Sequence, residues 1–362
     1  MPTGEGQPQL SGFINMNKPV GYTSFDVIAR LRRMLHIRKL GHSGVLDKPA
    51  TGVLPVGVNR ATRLFQYFDH MLKVYLTSFL FGFSTDTDDI TGRIIAVGGK
   101  GAAEHLKRSD LEAALLQFRG RISQVPPRFS TTKVHGKEFY RLALRGQEVP
   151  RLLKRVTVEG IEILDFKDGP EVETLLAEYP QLLIPRNGAR SPAATPETGE
   201  PPPPPVSREE IPPVKLMTIR IFCREGFYVR SLARDLGEIV GARGCVFNLV
   251  REQVGPFRVA EAVGFDEIQQ ALDEGNFRER ILHPMRAIAE PERTVRLDAP
   301  SVARLRDGQQ VLLEMRFLPE ALRKHGQLVF VLDPEDRMVA VARTLPPVPG
   351  DRIPLQPSRM LH

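Results

Sequence analysis

The stretch GHSGVLDKPATGVLP, residues 41–55, carries one carboxylate, Asp47, among three glycines and two prolines. Glycine and proline at that density read as loop and tight turn. No second acid, cysteine or metal-spaced histidine stands beside Asp47. Taken alone, the residue fits a turn aspartate that accepts local amides. The other reading is a nucleophile or base held by a stiff backbone. Such a group must stay ionised in a partly closed site. That calls for a cation at close range, because desolvation otherwise raises a carboxyl's pKa.

Upstream, GFINMNKPVGYTS (residues 12–24) is a short apolar run followed by Lys18-Pro19 and a turn at Gly21. Ser24 has the side chain of an N-cap, and Phe25, Ile28, Leu31 and Leu35 recur at helical spacing. The pattern predicts an amphipathic helix over 25–35. Arg30, Arg32, Arg33, Arg38 and Lys39 occupy its other face and its exit. An isolated run of this kind is ordinarily a solvated face. This one leads directly into the Asp47 loop, which favours a nucleic-acid contact.

Downstream, VYLTSFLFGF (74–83) is rich in aromatic and β-branched residues and reads as a strand, followed by a polar turn, STDTDDITG. Residues 109–119 read as a helix. VPPRFSTTKVHGKEFYRLALRG is basic, interleaved with aromatics, and ends helical. Residues 155–165 and KLMTIRIFC (215–223) read as strands. GFYVRSLARDLGEIVGARG reads as a helix closed by Gly241 and Gly244. From Pro192 to Pro213 the chain is proline-rich, with five consecutive prolines, and predicts an extended or disordered insertion. After AEPERT, short runs at Val311–Leu313, Gln327–Leu332 and Met338–Ala342, the last two joined by DPED, predict a small β-module.

The 362 residues suit about two domains. A net charge of +7 suits a polyanionic partner, nucleic acid or anionic membrane surface. Two cysteines, Cys223 and Cys245, are too few for a disulfide framework. No apolar run reaches the roughly 18 residues of a spanning helix. The first residues lack the pattern of a signal peptide. The expectation is a soluble cytoplasmic protein.

The motifs also exclude some chemistry. There is no HExxH, no Cys/His cluster, no GxxxxGK[ST], and no GxGxxG after a strand. DTDDITG departs from calcium-loop spacing and reads as a polar turn. Arg230, in the first turn of its helix, faces the positive end of the helix dipole, which a carboxylate partner would offset. An exposed arginine fits equally well. Tyr75 shares a strand face with Thr77, Phe79 and Phe81, so it reads as a core tyrosine or as a ring that stacks on a base. His42 reads as a turn histidine or a wedge against nucleotides.

Several stretches together resemble the TruB family of tRNA pseudouridine synthases. GHSGVLDKPATGVLPVGVNRATR resembles its G-H-[ST]-G-x-L-D-x-x-A-T-G-x-L-P motif, and GFINMNKPVGYTS its N-terminal K-P-x-G-x-[ST]-S element. KVYLTSFLFGFSTDTDDITG is similar to its K-x-Y…T-D-T-x-D-x-x-G strand and turn. VPPRFSTTKVHGKEFYRLALRGQEVPR and CREGFYVRSLARDLGEIVG resemble two further elements, and LVRE (249–252) sits where the family has L-R-R, all in the family's order over most of 12–265. The C-terminal module, ending IPLQPSRML, resembles the family's PUA-like RNA-binding domain less closely.

The resemblance implies an α+β fold, a mixed and mainly antiparallel sheet with flanking helices, plus a small C-terminal β-rich PUA-like domain. The implied organisation is a disordered lead at 1–11, a catalytic domain at 12–288 with the proline-rich insertion at about 186–213, and the PUA-like domain at 293–362. Asp47 matches the catalytic aspartate, Arg230 the arginine that pairs with it, and Tyr75 the tyrosine that stacks on the target base. His42 matches the histidine that inserts as the base leaves the RNA fold. Asp86 matches an acid that helps hold the opened loop, and Leu249 lines the uracil pocket. Lys18 joins the substrate-binding set through the K-P element. The implied substrate is uridine 55 in the T-arm of tRNA, converted to pseudouridine by a monomer without cofactor, metal or membrane. The chain departs from the family at Lys48, usually proline; at Phe25, usually small or polar; and at Val250, usually arginine. Three other readings compete: a non-catalytic RNA-binding protein, a guide-dependent dyskerin-like synthase, and a structural basic protein. A catalytic test on bare tRNA separates them.

Overall fold

The computed structural model describes residues 10–68, 70–134, 137–145, 147, 149–168, 213–284, 287 and 291–361. The expected N-terminal lead and proline-rich insertion fall almost entirely outside these. The chain divides into two units. One comprises Met1–Lys48, Gly52–Asp69 and Val254–His362; the other comprises Pro49–Thr51 and His70–Gln253.

The first unit begins with β1 (Gly12–Lys18), α1 (Ser24–Leu35), β2 (Leu40–His42) and β3 (Thr51–Val58). β3 pairs antiparallel with both β1 and β2. α1 lies one residue from its predicted start, but its cap is Thr23 rather than Ser24. Thr23 Oγ1 accepts from the Asp26 amide at 3.1 Å, and Asp26 Oδ2 accepts from the Thr23 amide at 2.8 Å, a reciprocal capping box. Ser24 is buried and bonds elsewhere. The apolar stripe of α1, Val27, Ile28 and Leu31, packs with Ile14, Met16, Leu54, Val56 and Val58 into one core.

The second unit carries β4 (Lys73–Phe81), β5 (Phe83–Thr85), β6 (Ile94–Val97), α2 (Arg108–Leu115), β7 (Gly120–Gln124), β8 (Lys133–Val134), β9 (Lys137–Glu138), α3 (Phe139–Leu144), β10 (Lys154–Asp168), β11 (Lys215–Cys223), α4 (Val229–Ile239) and β12 (Gly244–Val254). The predicted strand at 74–83 breaks at Gly82, whose φ of 139° no other residue adopts readily. The predicted helix at 109–119 finishes as a 3-10 turn, Leu116–Phe118. The strands order β12-β4-β11-β10-β7, and β4-β11, β11-β10 and β10-β7 all pair antiparallel. β4 is buried almost throughout, as a strand covered on both faces is, and its buried Thr77 and Ser78 are hydrogen-bonded to Asn248. In β11, Met217, Ile219, Ile221 and Cys223 are buried while Thr218, Arg220 and Phe222 are half-buried, the period-two alternation of a pleat.

The chain then returns to the first unit with β13 (Phe257–Arg258), α5 (Phe265–Asp273), β14 (Thr294–Arg296), α6 (Ala299–Arg306), β15 (Val311–Glu314), β16 (Leu328–Leu332), β17 (Met338–Thr344) and β18 (Arg352–Met360). The last five strands form a sheet ordered β14-β16-β17-β18-β15, in which only β14 and β16 run parallel. Its core unites Leu297, Val302, Leu305, Val329, Val331, Val339 and Ile353. This module rests on the 3-10 turn Asn59–Tyr67. Arg60 Nη1 donates to Leu361 O at 3.2 Å, Arg63 Nη1 to Met360 O at 3.0 Å, and Tyr67 meets Phe330 edge-on at 6.1 Å. The fold is thus mixed α and β, mainly antiparallel, with a C-terminal β-module. Among the described residues no helix is long and apolar enough to cross a membrane.

Candidate active site

In the first unit the Asp47 loop is clamped at both ends. On the entry side, β2 pairs with β3 through His42 and Val56, and the Ser43 amide donates to Pro55 O at 3.0 Å. Gly44 and Gly52 have φ of 70° and 100°, which explains two of the motif's three glycines. The Leu46 amide donates to Ser24 Oγ at 3.0 Å, tying the residue before Asp47 to α1. On the exit side, Lys18 is fully buried. Its Nζ donates to Tyr22 O at 2.7 Å, Pro19 O at 3.0 Å and Lys48 O at 3.3 Å, while the Gly21 amide donates to Lys48 O at 3.0 Å. The residues on either side of Asp47 are therefore both pinned, and Asp47 itself is half-buried. A buried ammonium facing carbonyl dipoles is what its desolvation demands.

His42 is half-buried and meets the Phe25 ring edge-on, centroids 5.3 Å apart. Phe25 is 70% exposed. Of the α1 basic residues, Arg30 is turned inward: its Nη1 donates to Tyr22 Oη at 2.9 Å and its guanidinium lies 4.1 Å from the Phe265 ring centroid. Arg32, Arg33, Arg38 and Lys39 stay exposed.

In the second unit Tyr75 is buried in β4 opposite Ile221. Thr77, on the same face, donates its hydroxyl to Asn248 O at 2.6 Å, and Asn248 Oδ1 accepts from the Ser78 amide at 2.9 Å. Leu249 follows Asn248 and is half-buried. Asp86 opens the turn between β5 and β6. Its Oδ1 accepts from the Arg93 amide at 2.8 Å, and its Oδ2 lies 3.6 Å from the Arg93 guanidinium. A Cβ at Gly92 would stand 2.4 Å from Thr87 Oγ1, so the turn closes only on glycine. Asp89 Oδ1 accepts from the Thr91 amide and the Thr87 hydroxyl, each at 2.9 Å. The acids of DTDDITG thus bond within and around their turn, and among the described residues no group of three potential ligands is arranged for a metal.

Arg230 is 6% exposed at the start of α4. Nη1 donates to Thr87 O at 3.0 Å and Nη2 to Phe129 O at 2.8 Å. The helix start is fixed by Gln124, whose Oε1 accepts from the Tyr228 amide at 3.0 Å and whose Nε2 donates to Tyr228 O at 3.2 Å. Sequence reasoning missed Gln124, Asp88 and Arg234 as supports of this helix. The signal present was an acid-and-arginine pair in two separate motifs, which no spacing rule connects. The basic stretch 128–145 forms a groove lined by Lys133, Lys137, Arg141 and Arg145, with Glu138 paired to Arg141 at 3.0 Å. Both cysteines are buried; burial pushes the Cys223 thiol up to about 12 and Cys245 well above its ordinary value, so neither is a ready nucleophile.

Asp47, His42 and Lys18 lie in the first unit, and Tyr75, Asp86, Leu249 and Arg230 in the second. Residues 32–177 match the model of the TruB family pseudouridylate synthase N-terminal domain. The chain is 32% identical to the tRNA pseudouridine synthase B of Dehalococcoides mccartyi, over 92% of each protein. It is 36% identical to the same enzyme of Gloeobacter violaceus, covering 83% of this chain and 87% of that one. Among solved structures, a Cbf5–Nop10–Gar1 complex shares the fold with a TM-score of 0.64, at 21% identity, over 98% of this chain and 85% of that one. An archaeal box H/ACA Nop10–Cbf5 complex does so at 0.61 and 20% identity, over 98% and 86%. Matched over nearly its whole length by curated relatives, the chain belongs to the TruB family of pseudouridylate synthases.

Proposed function

We propose that this chain converts uridine 55 in the T-arm of tRNA to pseudouridine. The observation that carries the reading is Asp47 in a loop pinned on both sides, by Ser24 at Leu46 and by Lys18 at Lys48, in a chain whose relatives are named tRNA pseudouridine synthase B. A turn aspartate with no task needs no such clamp; a reacting carboxylate does.

The reaction breaks the C1′–N1 glycosidic bond, turns the detached uracil, and forms a C1′–C5 bond. The proton on C5 leaves and N1 gains one, so atoms balance without an oxidant, a reductant or an energy donor. Asp47 supplies the carboxylate, Arg230 the cation that sustains its charge, and Tyr75 the ring against the base and a hydroxyl for proton transfer. The target base must leave its stack, which costs a few kcal/mol. His42 entering the vacated space, and phosphate contacts from α1 and the 128–145 groove, offset that cost. Asp86 holds the turn near the opened loop and Leu249 lines the pocket. Lys18, buried against three carbonyls, serves substrate indirectly by fixing the Asp47 loop. In this reading 12–288 is the catalytic domain and 293–362 a PUA-like module that binds RNA. The chain acts as a cytoplasmic monomer without added cofactor.

The test is release of tritium from C5 of uracil in a T-arm RNA, beside an Asp47→Asn variant. Release by the wild type and none by the variant establishes the reading. Binding without release by the wild type would support a guide-dependent synthase or a pure RNA-binding protein instead.

A further inference from the structure

Asp88 is a buried acid to which the proposed reaction gives no part. It lies in the turn between β5 and β6, 9% exposed, with φ of 60°, a left-handed conformation uncommon outside glycine. Its backbone is tied to β12, since its carbonyl accepts from the Val246 amide at 3.0 Å. Its Oδ2 accepts from Arg234 Nη1 at 3.2 Å. Arg234 stands one helical turn beyond Arg230 on α4, on the same side. The same guanidinium donates from Nε to Asp235 Oδ1 at 2.9 Å and from Nη2 to Val125 O at 2.9 Å, and Val125 O also accepts from Ser231 Oγ at 2.7 Å.

The two arginines therefore bridge the same two segments in parallel. Arg230 reaches Thr87 and Phe129; Arg234 reaches Asp88 and Val125. We propose that Asp88 and Arg234 are positioning residues for Arg230, their ion pair fixing the Thr87 and Phe129 carbonyls that aim its guanidinium. This rests on the assignment of Arg230 as the cation of the active site.

The groups facing Asp88 are Arg234, Arg230 and Asp235 from α4, with Asp89 beside it in the turn and the Cys245 thiol on β12. Glu238 acts on Arg234 and Asp235 from further along the helix. Burial pushes the Asp88 carboxyl up to about 6, against the pull of Arg234 and Arg230. A folded value above the ordinary 3.8 means that the ionised form costs stability at neutral pH, and that folding takes up a proton between the two values. An acid kept ionised against its own burial, by an arginine beside the proposed active-site cation, is a candidate for a positioning role. As pH falls through 6, Asp88 protonates and its hold on Arg234 weakens.

The test compares wild type with Asp88→Asn, which keeps shape and one acceptor but removes the charge. Turnover of T-arm RNA is measured across pH around 6, together with thermal unfolding and the NMR signal of the Arg230 guanidinium in the full chain. The variant is expected to lose about tenfold to a hundredfold in kcat, as small misplacements of a catalytic group do, with KM held. It should also lose the acid limb of the wild type and melt no lower. The Arg230 signal should follow the Asp88 titration in the wild type and stay fixed in the variant. Wild-type kcat with an intact limb, a kcat loss matched by a lower melting point, or an Arg230 signal indifferent to Asp88 would each overturn the proposal. If the wild type converts no uridine, the functional reading fails, and the Arg230 signal alone still decides whether Asp88 positions it.

Discussion

Lys18 bears on the proposed site through the loop that carries Asp47. Its ammonium bridges the chain just before α1 and the carbonyl of Lys48, the residue after Asp47. Lys18→Met keeps the length and removes the donor. Leaving buried carbonyls without it is expected to cost about 1–3 kcal/mol, read by thermal unfolding. Because the loosened element carries Asp47, kcat should fall by more than KM rises. Equal changes in both would reduce Lys18 to a packing residue. Phe25 poses the opposite case, a large ring 70% exposed beside His42. Phe25→Ala is expected to leave stability within about 0.5 kcal/mol. It should weaken RNA binding by about 1–3 kcal/mol, the worth of one stacked base. Unchanged binding would leave the ring as a support for His42 alone. The loop around Asp47 was legible because its glycines and prolines are local. The tie from Lys18 was not, because its bond to Lys48 spans thirty residues of chain, and a Lys-Pro pair reads like any surface turn.

At the scale of elements, α4 carries Arg230 only because it packs hard against the start of β12. A Cβ at Gly237 would sit 2.3 Å from the Gly244 amide and 2.4 Å from the Arg243 carbonyl carbon, backbone atoms that do not yield. Gly237→Ala is therefore expected to destabilise by about 1–3 kcal/mol or more, although alanine favours helix. A higher melting temperature would refute the close approach. The turn between β16 and β17 offers a pH-dependent counterpart. Asp333 is buried, and burial alone would raise its carboxyl. The Arg337 amide at 2.8 Å, the Arg337 guanidinium at 2.8 Å and the Glu335 amide at 3.0 Å hold it below the usual range instead. A lowered folded value gives stability that is present above the unfolded pKa, near 3.9, and lost as pH falls through the folded one. Asp333→Asn should thus melt lower at neutral pH and approach the wild type in acid. Periodicity located α1, β4, β11 and α4 within a residue or two, since each has a single buried face or a continuous apolar run. It misplaced the cap of α1 by one residue because Thr23 and Ser24 both carry a capping hydroxyl. Only the tertiary bond to Leu46 takes Ser24 out of that role.

At the scale of the whole chain, the +7 charge is spread over many surfaces, so composition alone could not say which basic residues meet RNA. The structure narrows the set by showing which are already engaged. Arg30 is held by Tyr22 and Phe265, Arg32 by the Leu40 carbonyl, Arg141 by Glu138 and Arg230 by two carbonyls, whereas Arg33, Arg38 and Lys39 are exposed and Lys133, Lys137 and Arg145 line one groove. Affinity for T-arm RNA should fall steeply with salt, because each neutralised phosphate releases counterions. Replacing Lys133 or Arg33 by Gln should lower the slope of log K against log salt by about 0.7–0.9 for each phosphate no longer neutralised. Arg30→Gln should change the slope little and the stability more, through its packing on Phe265. Asp47→Asn should leave the slope unaltered while abolishing product, since in the proposed reaction the carboxylate acts after the RNA is bound. A slope that ignores both the groove and α1 would move the phosphate-binding surface to the C-terminal β-module, and the salt series on Arg306 and Arg316 variants of that module would then show the change instead.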